Sequence, residues 1–320
     1  VTIVGSPGLN DIIMSSGMQK KRILVPLNFT SQSDAALHHA MSIAMAINGM
    51  ITCLHVNEEP DFITAQFLSK EMAVKIRRAA EETLSVKVNK ILSLEHKAPF
   101  ELIVASGKVH EKIMEKAADL NASLIIMGKS DSEDIPTSHL GLNTKHIIAK
   151  AQIPVLTVCT AKHTGNNRIL LPLDLSKEIE VKLLKAIEMA RMLESAVFVF
   201  SVSQSDLASL KTLYQGRLQE IRQIFDTEGI PCDAHVSVSK NTIPEAILMQ
   251  ARKIDAGLIM MMTQQEKRFT DFFIGSTVQQ IINETEIPVL SILPNVRTDA
   301  ITDTPVWSKI LNPIIPMQLN

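Results

Sequence analysis

Residues 274–284 read IGSTVQQIINE, a composition suited to the capture of an anion. The glycine opens an apolar-periodic segment, so Gly275 would stand at a helix start, where unpaired backbone N–H groups and the helix dipole favour negative charge. A glycine there permits close approach of a ligand, and Ser276 and Thr277 add two hydroxyl donors. Lys267 and Arg268 bring positive charge a few residues upstream, and Asp174 follows an apolar run as a hydrogen-bond acceptor. A less complete set comes earlier in the chain. Gly128 closes an apolar run, LGLNTKHIIAK at 140–150 supplies Gly141 and Asn143, and Asn28 stands where the later set has Asp174. In this earlier set Leu142 takes the first hydroxyl position, and Asp131, Glu133 and Asp134 bring charge that opposes a phosphate. The later set is therefore expected to be the site of consequence.

The remaining residues offer no catalytic constellation. The histidines form no HExxH pattern, and His38 and His39 are adjacent, so on a helix they diverge. There is no GxSxG nucleophile elbow, and no adjacent acidic pair follows the first strand to hold magnesium. No catalytic residue and no metal site is expected. His55 and His235 read as structural, and the methionines, MMM at 260–262 among them, as core packing.

The elements that must position these residues are written twice. RILVPLNF at 22–29 matches RILLPLDL at 168–175. The helical stripe Leu37, Met41, Ala44 and Ile47 recurs 146 places on as Leu183, Ile187, Ala190 and Leu193. Gly49 follows the first of these helices as its C-cap. Second strands are read at 51–56 and 196–202, and third strands near Leu102–Ala105 and Ala234–Val238. Helices hold Val109–Leu120 and Ile243–Ile254, and each copy ends on an Ile-Pro-Val-Leu segment. The fourth strands, SLIIMG at 123–128 and GLIMMM at 257–262, are near-continuous apolar runs, as parallel strands buried on both faces should be. They are offset by only 134, which places twelve extra residues of the first copy between its second and third strands.

Length and charge bound the rest. At 320 residues the chain can form two ordinary domains, and 32 basic against 34 acidic residues give no field for nucleic acid. Three cysteines without a CxxC suit a reducing compartment, and no apolar run reaches the length of a membrane span, so a cytoplasmic location is expected. Residues 1–20 read as a disordered leader, 21–160 and 167–294 as two domains, and 295–320 as an apolar tail carrying Trp307.

Together these motifs resemble the universal stress protein family in its tandem two-domain form, over roughly 21–158 and 167–294. The resemblance rests on a strand ending in Pro-x-Asp, a fourth strand running into a glycine loop, and Gly-Ser opening a helix that leads to Pro-Val-Leu. It implies an α/β fold of two tandem doubly wound parallel five-stranded sheets, layered as in adenine nucleotide alpha hydrolase-like and flavodoxin-like folds. The fifth strands, Val155–Val158 and Val289–Leu293, would pair to form an internal pseudo-dimer. Nucleotide-binding members continue the fourth strand as G-x2-G-x9-G-[ST], with the aspartate near adenine and the loop around ribose and phosphates. That motif falls on Gly128, Asp131, Gly141 and Leu142 in the first copy, and on Met262, Gln265, Gly275 and Ser276 in the second, so neither is intact. The implied role is a non-catalytic stress-response protein binding ATP, with Mg, or AMP in at least one half. The alternative is a pseudo-dimeric protein-interaction scaffold with degenerate sites. Slow ATP hydrolysis, a homodimer and an unidentified protein partner stay open.

Overall fold

The computed structural model describes residues 21–58, 69–92, 98–129, 139–161, 165–175, 179–203, 208–263 and 274–293. The leader, the tail with Trp307, and the loop residues Asp131, Glu133, Asp134, Gln265, Lys267 and Arg268 lie outside the described residues.

The first copy runs β1 (Arg22–Pro26), α1 (Ser31–Ala46), β2 (Met50–Asn57), α2 (Lys70–Leu92), β3 (Phe100–Ser106), α3 (Val109–Asp119), β4 (Leu124–Gly128), α4 (Leu142–Lys150) and β5 (Val155–Val158). The second repeats it as β6 (Asn166–Pro172), α5 (Glu180–Met192), β7 (Ala196–Ser203), α6 (Ala208–Thr227), β8 (Cys232–Val238), α7 (Ile243–Lys253), β9 (Ala256–Met262), α8 (Ser276–Glu284) and β10 (Val289–Ile292). The third strands extend beyond the apolar residues that announce them in the sequence, because parallel pairing with the second strands continues through polar positions such as Glu101 and Asp233. The first copy's longer connection spans Asn57 to Phe100, against Ser203 to Cys232 in the second, where the change of offset places it.

The ten strands form one sheet, in the order β3-β2-β1-β4-β5-β10-β9-β6-β7-β8. Neighbours pair in parallel except at the centre, where β5 and β10 run antiparallel with Thr157 opposite Val289, Leu156 opposite Leu290 and Val155 opposite Ser291. The expected pairing of the fifth strands is thus observed, and the internal pseudo-dimer is a continuous sheet. Strand alternation sends Ile23 and Val25 to one face and Leu24 to the other, and Ile169, Leu171 and Leu170 repeat the division. One apolar layer lies under α1, α2, α5 and α6, the other under α3, α4, α7 and α8, and each contains residues of both copies.

Helix ends follow local chemistry. Thr30 caps α1 by accepting from the Ser33 N–H at 3.2 Å, and Thr242 forms a reciprocal capping box with Glu245 at the start of α7. At the end of α1, Asn48 and not Gly49 adopts the left-handed conformation, with φ 49°. The Gly49 N–H donates one residue further on, to Ala44 O at 2.8 Å, so the expected C-cap is displaced by one position. Asparagine tolerates that conformation better than most side-chain-bearing residues, which is why the glycine was not needed there.

Candidate functional site

In each copy the first and fourth strands are neighbours, yet the helices that follow them pack on opposite faces of the sheet. A crevice opens at the carboxyl ends of such strands. In the first copy it is a cavity of about 380 Å³ lined by Asn28, Ser33, Glu58, Gly128 and Asn143, with apolar walls from Leu54, Val56, Val109, Ile113 and Met127. The structure therefore brings Asn28, Gly128 and Asn143 together around one space, with Gly141 as the N-cap of α4 beside them.

Local structure explains the rim. The Asn28 side-chain oxygen accepts from the Thr30 N–H at 3.3 Å and the Thr30 hydroxyl at 2.7 Å, an Asx turn that aims the chain into α1. Phe29, between them, sits at φ 66°, a conformation that costs a bulky residue roughly 1–2 kcal/mol. Its surroundings over-determine it. The ring stacks on His55 at 4.3 Å, Lys87 Nζ donates to Phe29 O at 2.5 Å, and Lys87 also pairs with Asp34 at 3.0 Å. His55 itself meets Leu27 O at 2.7 Å and Asn57 Oδ1 at 3.1 Å, which bears out its structural reading. Ser33, Glu58, Phe29 and Lys87 escaped the sequence reading, since nothing in the local pattern marks a residue whose role depends on β2 or α2.

Gly128 owes its identity to packing. A Cβ there would lie 2.9 Å from Gln32 Cβ and 3.0 Å from Gln32 C, so the close approach of α1 to β4 admits no side chain. Beyond it, the Gly141 N–H donates to Lys129 O at 3.0 Å and Thr144 Oγ1 to Gly128 O at 3.2 Å, fastening the start of α4 to the end of β4. Leu142 points outward, 71% exposed. Asn143 meets His110 Nδ1 at 3.4 Å.

The second copy keeps the helix start and carries different residues at the strand ends. Gly275 is the N-cap of α8, and beyond its chain neighbours no described atom lies within 4 Å of a Cβ placed on it; Ser276 is exposed and Thr277 half-buried. Asp174 is exposed just beyond β6. Register fixes the correspondence between the copies: Pro26 lies opposite Leu54 as Pro172 lies opposite Phe200, and Gly128 opposite Val158 as Met262 opposite Ile292. Phe200 and Met262 thus replace Leu54 and Gly128, and Ile179, 1% exposed, stands at the place of Ser33. Phe200 and Ile179 are larger than Leu54 and Ser33, which line the first copy's cavity, while Met262 packs against the apolar layer that includes α5.

The chain matches the universal stress protein family over residues 20–158 and again over 165–292. It belongs to the universal stress protein family. Universal stress protein MJ0577 of Methanocaldococcus jannaschii is 28% identical over 153 residues, covering 43% of this chain and 94% of that protein. A crystal structure of a universal stress protein from Archaeoglobus fulgidus DSM 4304 shares the fold across both copies, at 19% identity and a TM-score of 0.64, covering 86% of this chain and 97% of that one. Another Archaeoglobus fulgidus universal stress protein, solved in complex with dAMP, covers 39% of this chain and 96% of its own at 22% identity and a TM-score of 0.32.

In this universal stress protein no group of three His, Cys, Asp or Glu among the described residues is placed to hold a metal, and no described helix is long and apolar enough to cross a membrane. The three cysteines are unpaired. Burial pushes the thiols of Cys53 and Cys232 up to about 12 from 9.0. In the unfolded chain these thiols ionise near 9.0 while the folded ones stay protonated, so the folded state binds more protons and loses stability as pH rises from about 9 towards 12. We expect the urea midpoint to fall across that range and to fall less in Cys53→Val. Equal alkaline sensitivity in the variant would contradict the assignment to Cys53.

Proposed function

We propose that this universal stress protein binds an adenine nucleotide without transforming it, in the crevice of the N-terminal copy. The observation that carries the reading is the open crevice of the N-terminal copy, a cavity of about 380 Å³ bordered by Asn28, Ser33, Leu54 and Gly128 beyond the carboxyl ends of β1 and β4. Apolar walls suit an adenine ring, Asn28 and Ser33 offer polar partners to its edge or to ribose, and Glu58 can accept from a ribose hydroxyl. Phosphate would lie toward the N-terminus of α4, at Gly141 and Asn143. The Glu58 carboxylate opposes a long phosphate chain, so AMP should bind in preference to ATP, which would bring Mg to offset its charge. The C-terminal set remains the competing location, because Gly275, Ser276, Thr277 and Asp174 retain the better donors and acceptor. The two units, 21–160 and 167–294, act as one pseudo-dimeric body in this reading, and unpaired thiols suit the cytoplasm.

Calorimetric titration of AMP and ATP tests the proposal. Leu54→Phe, which installs the second copy's residue, and Asn143→Ala should each weaken AMP binding, Leu54→Phe by about tenfold or more if a buried ring occupies the space. Gly275→Val should leave it unchanged. Melting curves establish that each variant is folded. Loss confined to Gly275→Val moves the site to the C-terminal copy. A wild type that takes up neither nucleotide favours the scaffold alternative.

A further inference from the structure

The neck of the N-terminal crevice is held from the other copy. Lys129 leaves β4 and Leu140 enters α4, and the Gly141-to-Lys129 backbone bond joins the two ends. Asn283, in the last turn of α8, reaches both sides of that junction. Its backbone carbonyl accepts from Lys129 Nζ at 2.7 Å, and its side-chain Oδ1 accepts from the Leu140 N–H at 2.9 Å. Both partners are buried, Lys129 at 5% exposure and Leu140 at 4%. A buried ammonium or peptide N–H that lost its acceptor would bear its full desolvation penalty, so these bonds fix position as well as contribute stability.

The corresponding positions of the two copies differ. The residue of α4 that corresponds to Asn283 is Ala149, which has no polar side chain, and the residue corresponding to Lys129 is Thr263. Thr263 donates through its hydroxyl to Ile292 O at 3.2 Å, inside its own copy. The C-terminal copy therefore supports the neck of the N-terminal crevice, and Ala149 and Thr263 do not repeat that pair of bonds. Around Lys129, burial pulls the ammonium pKa down, whereas Cys159 and Glu286 act to raise it. The ammonium is thus tied to the junction between the copies.

Resting on the N-terminal nucleotide reading, we propose that Asn283 is a positioning residue of that site: it acts across the copies, through Leu140 and Lys129, to preset the start of α4 against the end of β4. Ligand binding by the first copy then depends on a side chain of the second.

Two full-length variants isolate the side-chain bond, because both keep the Asn283 backbone carbonyl for Lys129. Asn283→Ala removes the acceptor for the Leu140 N–H, and Asn283→Asp retains an oxygen in the same place. Amide hydrogen exchange at Leu140 and AMP affinity are measured on each. In Asn283→Ala, Leu140 should exchange faster while amides of β7 and β8 keep their protection, and AMP should bind about fivefold to tenfold more weakly, the loss of one ordinary hydrogen bond's worth of order. Asn283→Asp should restore both. Unchanged Leu140 exchange in Asn283→Ala overturns the inference, as does faster exchange with wild-type AMP affinity. Uniformly faster exchange, β7 and β8 included, also overturns it by showing a general loss of stability. If the wild type binds no AMP, the nucleotide reading fails and Asn283 is no ligand-positioning residue; local exchange at Leu140 then reports only whether it orders the neck.

Discussion

Produced separately, residues 21–160 and 167–294 are expected to self-associate, each half seeking a partner for its exposed central strand. In the intact chain Val155, Leu156 and Val158 of β5 and Val289, Leu290 and Ile292 of β10 are each 4% exposed or less, and the two strands pair with each other across the copies. Separation exposes an apolar strand edge with unpaired N–H and C=O groups, the feature that drives edge-to-edge association. Covalent linkage supplies the partner at an effective concentration in the millimolar range for a short connection, so the intact chain satisfies both edges internally. Light scattering on each half should give dimers or larger species, and mixing the halves should produce a one-to-one complex. Soluble monomeric halves that match the thermal stability of the intact chain would show that the central pairing contributes little.

Phe225→Ala should be among the most damaging single substitutions. The ring is fully buried in α6 and belongs to the apolar layer that continues under α1, α2 and α5. Truncating a buried phenylalanine costs about 3–5 kcal/mol through lost transfer free energy and the cavity left behind. At the sensitivity typical of larger domains, the melting midpoint should fall by roughly 6–20 °C. Because that layer crosses from one copy to the other, the whole transition should shift as one. A variant whose C-terminal copy melts separately, with the N-terminal transition unmoved, would show that the shared core does not couple them.

The candidate sites illustrate how far residue types carry. Gly275, Ser276 and Thr277 advertise an anion site in one dimension, because helix starts and hydroxyls are local features. Whether there is room for a ligand is a property of side chains far apart in sequence. Leu54 is an ordinary apolar residue of a second strand, and nothing beside it in the chain betrays that it borders open space with Ser33. Gly128 shows the converse. The motif assigns it to a ligand loop, while its neighbour within the fold is the backbone of Gln32.

By itself, the sequence determined the repeat, the alternation of strands and helices, the place of the extra residues in the first copy, and the family to which both copies belong. Each of these follows from short-range periodicity or from similarity between segments, which a linear pattern records. Tertiary structure decided that the two sheets continue into one of ten strands, that Phe29 is held in a left-handed conformation by His55 and Lys87, and that Asn283 reaches over the central strands to Lys129 and Leu140. Those outcomes depend on which distant groups come within hydrogen-bonding or van der Waals distance once the layers pack. A difference of an ångström there separates a contact from a gap, and no spacing along the chain encodes it.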